Sequence, residues 1–257
     1  MPSRIAAATQ RRFGTAVEPF ANLANLDALA ALNERSVCRR YRRDPVPEEV
    51  VRLLCATALA APTKSDLQQA TLIRVADPAK RAAITSLFPG SPWLAQAPEL
   101  FIFCADGWRL RRLFARREAE FPNEHLDAFF NAAVDAALVL GAFVSAAELA
   151  GLGTCPISQI RDHIAKIDQL LALPDWVVPV AGLALGYPDA KEPLSARLSL
   201  SATVHTDRYD RDAVERELDA YDARRGKTWS ADKVRQYSTV WRADFGAFVK
   251  AKRFQLT

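Results

Sequence analysis

The segment Leu126 to Leu149 constrains the fold more than any other part of this 257-residue chain. It is rich in alanine, and its apolar residues fall on nearly every side of a helix. A helix that is apolar all round must be covered all round, by its own core or by another chain. Its longest apolar stretch, Ala136 to Ala147, is about twelve residues and is bracketed by Asp135 and Glu148. A membrane span needs about twenty. The expectation is therefore a buried core or interface helix with no membrane partner, and in a chain this small it suggests the central helix of a dimer.

Other segments read more conventionally. Asp44-Pro-Val-Pro-Glu-Glu starts a helix well, since proline is tolerated in the first turn and acids suit the N-terminal dipole. Val50, Val51, Leu53, Leu54 and Ala58 continue it until Pro62. Helices are also expected over Pro78 to Phe88, Leu110 to Ala119 and Ile160 to Leu171. Strands are expected over Gln69 to Ala76, Glu99 to Cys104 and Val177 to Leu185. This is not a regular βαβ alternation. No GxGxxG follows a strand and no GxxxxGK[ST] occurs, which argues against a Rossmann domain and a P-loop. Residues 1–30 show little pattern and read as an extension, either a loose arm or a disordered tail. The body runs over 31–209. The tail, 210–257, is helical and polar with Trp229, Trp241, Phe245 and Phe248 as anchors, and is suited to wrap a partner subunit.

Charge narrows the partners only mildly. Lys plus Arg number 34 and Asp plus Glu 30, for a net charge of +4. That weakly favours anionic ligands, and a phosphate-bearing small molecule fits as well as nucleic acid. The arginines of the 110–119 helix read as a solvated face. Cys38, Cys55, Cys104 and Cys155 share no CxxC spacing, and Met1 to Gln10 lacks the apolar core of a signal peptide. The expectation is reduced thiols in a cytoplasmic protein. His125, His163 and His205 lie far apart, so no metal site is expected.

Four ordered segments carry the chemical signal: Glu34-Arg-Ser-Val-Cys-Arg-Arg-Tyr; Ala61-Pro-Thr-Lys-Ser-Asp-Leu-Gln; Ala146-Ala-Glu-Leu-Ala-Gly-Leu-Gly running into Cys155-Pro-Ile-Ser; and Gly182-Leu-Ala-Leu-Gly-Tyr-Pro followed by Ala196-Arg-Leu. Together they resemble the nitroreductase family, over roughly Asn33 to Tyr209. Phe103-Cys-Ala-Asp before the basic helix looks like its NADPH-dependent nitroreductase and flavin reductase subgroup. The resemblance implies an α+β fold, with a small antiparallel sheet packed between helices, dimeric with FMN at the interface. It implies ping-pong transfer: NAD(P)H, as NADPH or NADH, gives hydride to flavin N5, and a nitroaromatic, quinone or free flavin then takes the electrons.

The residues suit that cofactor. A dianionic phosphate favours Arg, whose planar fork binds it bidentately. Arg35, Ser36 and Arg39 supply two charges and a hydroxyl, and Arg197 can close the same site. The resemblance places the loop Pro156, Ile157, Ser158 and Gln159 near N5, and Thr63, Lys64 and Asp66 against the ring from the other subunit. No catalytic side chain is implied, because the flavin carries the hydride. Arg224, Arg225 and Lys227 form a basic cluster suited to the extra phosphate of NADPH.

Three positions depart from the family pattern. Val37 and Cys38 both intervene where one residue is usual, Ser195 stands where a lysine is common, and Asp66 stands for an asparagine. These leave open an FMN enzyme with a specialised substrate, through reductive dehalogenation or flavin fragmentation. Two further readings are a flavin binder without turnover and a basic nucleic-acid-binding protein. The last rests on a pI of about 9.0, without a helix-turn-helix or RNP pattern to support it.

Overall fold

The computed structural model describes residues 3–20, 22–225 and 228–257. In chain order the elements are α1 (Arg4–Phe13), α2 (Leu26–Asn33), α3 (Glu48–Leu59), β1 (Ala70–Arg74), α4 (Pro78–Thr85), α5 (Trp93–Gln96), β2 (Glu99–Asp106), α6 (Trp108–Arg116) and α7 (Leu126–Leu149). They continue with β3 (Gly153–Ile157), α8 (Ile164–Leu171), β4 (Val177–Gly186), α9 (Leu200–Thr203), α10 (Arg211–Arg225), α11 (Trp229–Tyr237) and α12 (Phe245–Ala251). Contacts group them into two units that are not contiguous in sequence. One holds residues 1–36 and 191–241, the other residues 37–190 and 242–257.

The second unit is built on an antiparallel sheet of order β1-β2-β4-β3. The apolar run of β2 is buried on both faces, so its period-two alternation divides two cores rather than core from solvent. Leu100, Ile102 and Cys104 join Ile84, Phe88 and Leu94 of the α4–α5 side. Phe101 and Phe103 join Val51 and Leu54 of α3 and Phe143 of α7. Phe143 meets the two phenylalanine rings at 5.1 and 5.8 Å between centroids. The sheet is thus layered between helices, as expected.

The fourth strand, β3, was not placed by the sequence, because Gly-Thr-Cys-Pro-Ile has neither alternation nor strong β propensity. Its proline is tolerated because β3 is an edge strand. A second proline, Pro179, lies in the interior strand β4, at the register shift opposite Phe103 and Cys104. A bulge is where a strand can lose one donor.

Helix α7 has the expected bounds, but its cover differs. It is long and apolar enough to cross a bilayer by length and composition alone. Here Ala136, Phe143 and Ala147 are fully buried against the sheet and α3. The expected cover on all sides is not supplied by the described residues: Leu126, Phe130, Val134 and Leu138, spaced four apart on one face, remain exposed. The reading of a solvated arginine face holds for Arg112, Arg116 and Arg117, which are exposed, and fails at one position. Arg111 is buried, with its Nε and Nη2 on the Glu124 carboxylate at 2.9 and 2.6 Å and its guanidinium over Phe121.

The first unit overturns the expectation of little pattern in residues 1–30. Ser3 caps α1 by accepting from Ala6 N, and Gly14 closes it in the left-handed region. Arg4 ties α1 to the other end of the N-terminal segment by reaching Glu34 at 2.8 Å and Asp27 at 3.3 Å. In the same unit Tyr221 of α10 donates its hydroxyl to Ala196 O at 3.0 Å and stacks edge-on to Trp229.

Candidate functional site

In the first unit the structure brings two of the sequence-chosen arginines together. Arg35 and Arg197 line one cavity of about 570 Å³ with Arg12, Asn33, Tyr221 and Trp229. Among the described residues no carboxylate lines it. Arg197 Nη1 donates to Ser195 Oγ at 2.8 Å. Ser36 is half-buried beside this stretch and does not line the cavity. Three guanidinium groups border this one space, each with the planar fork that phosphate and carboxylate accept.

Arg12 was missed by sequence reasoning. It lies in the stretch that showed little pattern. In fact it is 6% exposed, and burial, then Arg197 and Arg35, push its pKa down. Its partners are main-chain carbonyls of residues far along the chain, a relation no local pattern reveals.

The basic cluster of α10 is differently employed. Arg224 pairs with Glu217 and also donates to Arg197 O at 3.2 Å. Arg225 donates to the Tyr221 hydroxyl at 2.8 Å. Neither lines the arginine cavity. Lys227 lies outside the described residues.

The second unit holds the remaining candidates. Thr63, Lys64 and Asp66 lie in the turn between α3 and β1. Ser65, Asp66 and Gln68 all have φ near +50° to +60° (50°, 58° and 51°), a run of left-handed, non-glycine residues that needs outside support. Asp135 of α7 provides it. Its carboxylate, 1% exposed, accepts from Lys64 N at 3.0 Å, from Gln69 N at 3.0 Å and from the Thr63 hydroxyl. Asp135 had been read only as a bracket on an apolar stretch; a carboxylate in the middle of such a helix was the signal. Asp66 is exposed and accepts from Gln68 Nε2 at 3.1 Å.

Lys64 lines a cavity of about 310 Å³ with Gln69, Phe114, His125 and Asn131. Thr63 lines a smaller one of about 150 Å³ with Gln68, Gln69, Arg109 and Asp135. Gln69, also missed, borders both, and its buried Nε2 has no hydrogen-bond partner among the described residues. A buried amide donor left over beside a cavity suits a ligand with an acceptor atom.

Pro156 to Gln159 is not the loop after a helix that was expected. Pro156 and Ile157 end strand β3, with Ile157 buried, and Gln159 opens a short 3-10 turn, Gln159–His163. Gln159 accepts from Ser91 Oγ at 3.1 Å. Arg39 is exposed and lies over the Trp93 ring at 5.8 Å. The extra residue near it, Cys38, is buried, and its N–H donates to Thr154 O at 2.8 Å. Its side chain occupies the space that a Cβ on Gly153 would fill, at 2.6 Å.

Comparison with known proteins agrees with this picture. The model of the nitroreductase family matches residues 32–187, more than half of the chain. The chain is 32% identical over 206 residues to an FMN reductase [NAD(P)H] of Bacillus subtilis, covering 76% of this chain and 80% of that one. It is 32% identical over 212 residues to an oxygen-insensitive NADPH nitroreductase of Salmonella typhimurium, covering 77% and 85%. The solved structure of B. megaterium NfrA2 superposes with a TM-score of 0.86 at 28% identity, over 90% of this chain and 99% of that one.

Proposed function

The chain belongs to the nitroreductase family, and from that premise we propose that it is an FMN-dependent oxidoreductase that draws electrons from NAD(P)H and passes them to nitroaromatics, quinones or free flavin. The observation that carries this reading is the cavity of the first unit, which Arg35 and Arg197 line together with Arg12. Such a cradle fits the dianionic phosphate of FMN. When bound, FMN supplies the two-electron chemistry, taking hydride and giving it up again.

The protein's part is positioning. Arg35 and Arg197 are assigned to the phosphate end, with Ser36 and Arg39 as further candidates for it. Thr63, Lys64 and Asp66, in a turn fixed by Asp135, and Pro156 to Gln159 at the end of β3 serve the flat ring. The Gln69 amide offers a buried donor for a polar ring edge. Lys64 adds positive charge where the reduced cofactor gains negative charge. Of the three basic residues Arg224, Arg225 and Lys227, the last two are the cations for an NADPH phosphate, since Arg224 already has its charge met by Glu217. The working form is a homodimer in the cytoplasm, its second copy covering the exposed stripe Leu126, Phe130, Val134 and Leu138 of α7.

The test is the visible absorption spectrum of the purified protein, with the released chromophore weighed by mass. An oxidised flavin spectrum, FMN on denaturation and bleaching by NADPH are expected. A colourless protein that takes up no added FMN would sink the reading. Uptake without NADPH oxidation would leave a passive flavin binder.

A further inference from the structure

A carboxylate buried in the middle of α7 is costly unless donors meet its oxygens. The donors to Asp135 come from one turn. Its Oδ1 accepts from Lys64 N at 3.0 Å, and its Oδ2 from Gln69 N at 3.0 Å and from the Thr63 hydroxyl. The Thr63 oxygen in turn accepts from Gln68 N at 2.8 Å. One side chain of α7 therefore grips both ends of the 63–69 turn, directly and through a hydroxyl. Between those ends the backbone is left-handed at Ser65, Asp66 and Gln68, a conformation that side chains disfavour. Such a path persists only where its surroundings over-determine it.

The cation of that turn is Lys64. Its N–H is held by Asp135, while the residue itself is exposed and lines the cavity of about 310 Å³. Asp135, at 1% exposure, acts through the groups it holds. What it fixes is the point from which the Lys64 charge is presented.

We propose that Asp135 is a positioning residue that sets the reduction potential of the bound flavin by fixing Lys64. This rests on the FMN reading above, in which the 63–66 turn serves the ring. Two electrons and one proton turn the neutral oxidised ring into an anion, so a cation held beside it favours the reduced form. The sign of the effect separates two roles. Deleting a carboxylate at fixed geometry removes a negative charge and would raise the potential. Releasing the turn withdraws the Lys64 charge and lowers it. Damage that weakens both flavin forms alike leaves the potential in place, because the potential reads the ratio of their affinities.

The FMN-loaded, full-length wild type, Asp135→Asn, Lys64→Gln and the double variant would be titrated reductively against reference dyes at neutral pH. Asp135→Asn should shift the potential to more negative values. The shift should correspond to a loss of about two- to fivefold in affinity for reduced over oxidised FMN, the scale of one exposed charge. Lys64→Gln should move it the same way. The double variant should go no further than Lys64→Gln, because Asp135 works through that lysine. An unchanged or raised potential in Asp135→Asn would overturn the proposal. So would no shift in Lys64→Gln, or shifts that add in the double variant. If thermal melts show that Asp135→Asn does not fold, Asp135→Glu carries the test. It keeps the charge and moves the carboxylate, so the same negative shift is expected and an unchanged potential overturns the proposal. A wild type that takes up no FMN is a separate outcome and removes the functional reading itself.

Discussion

At the scale of single residues, buried polar side chains decide the local geometry. Asp135 is the clearest case. It satisfies two backbone N–H groups and one hydroxyl of a turn whose backbone is left-handed at three non-glycine positions. Replacing it with asparagine keeps the volume but turns one acceptor into a donor facing donors. Asp135→Asn should therefore cost about 2–3 kcal/mol, the scale of charged hydrogen bonds lost in a buried site. It should also free the turn. Urea unfolding would measure the first, and hydrogen exchange at the Lys64 and Gln69 amides the second. Unchanged protection at both amides would show that the turn holds its shape without Asp135. Cys38 illustrates the same logic in packing. An extra residue in an otherwise familiar pattern looked like a disturbance of the binding motif, whereas it fills the space over Gly153 and pairs with edge strand β3.

At the scale of elements, legibility tracked how local the cause was. β2 and β4 were readable because strands buried on both faces leave unbroken apolar runs. The bounds of α7 were readable from composition alone. β3 was not, because its identity depends on β4 beside it rather than on its own residues. Of the candidate site, Arg35 and Arg197 line one cavity, while Arg12 was invisible, since its partners include a carbonyl 183 residues away. The role of α10 was likewise hidden. Glu217 reaches back to Ser199 N at 2.8 Å and pairs with Arg224, so α10 anchors the segment that carries Arg197. Burial alone would raise the Glu217 pKa, but the Arg224 and Ser199 hydrogen bonds outweigh it and hold the carboxylate below its ordinary value. A depressed folded pKa gives stability that is present above the unfolded value, about 4.3 for Glu. That stability is lost as pH falls through the folded value. Glu217→Gln should thus melt about 2–8 °C below wild type at pH 7, for a loss of about 1–2 kcal/mol. The gap should narrow as the pH is lowered from 7 through the ordinary Glu value and below. A constant gap across that range would mean that Glu217 acts through shape and not charge.

At the scale of the whole molecule, the long helix that constrains the fold is also its unfinished part. The inward face of α7 fills the core under β2, where Phe143 meets Phe101 and Phe103. Its outward stripe does the opposite. Leu126, Phe130, Val134 and Leu138 are 52%, 60%, 38% and 43% exposed, a row of large apolar side chains four residues apart. A contiguous apolar row of that kind marks a binding surface. A second copy is the occupant that the family reading supplies. Because these side chains point away from the core, placing a charge among them leaves the interior of one chain intact and penalises only association. The double variant Phe130→Asp, Leu138→Asp should therefore halve the mass seen by sedimentation from two chains to one. Its far-ultraviolet circular dichroism should keep the wild-type shape. A variant that still sediments as two chains would show that the subunits meet elsewhere, and the stripe would need another partner.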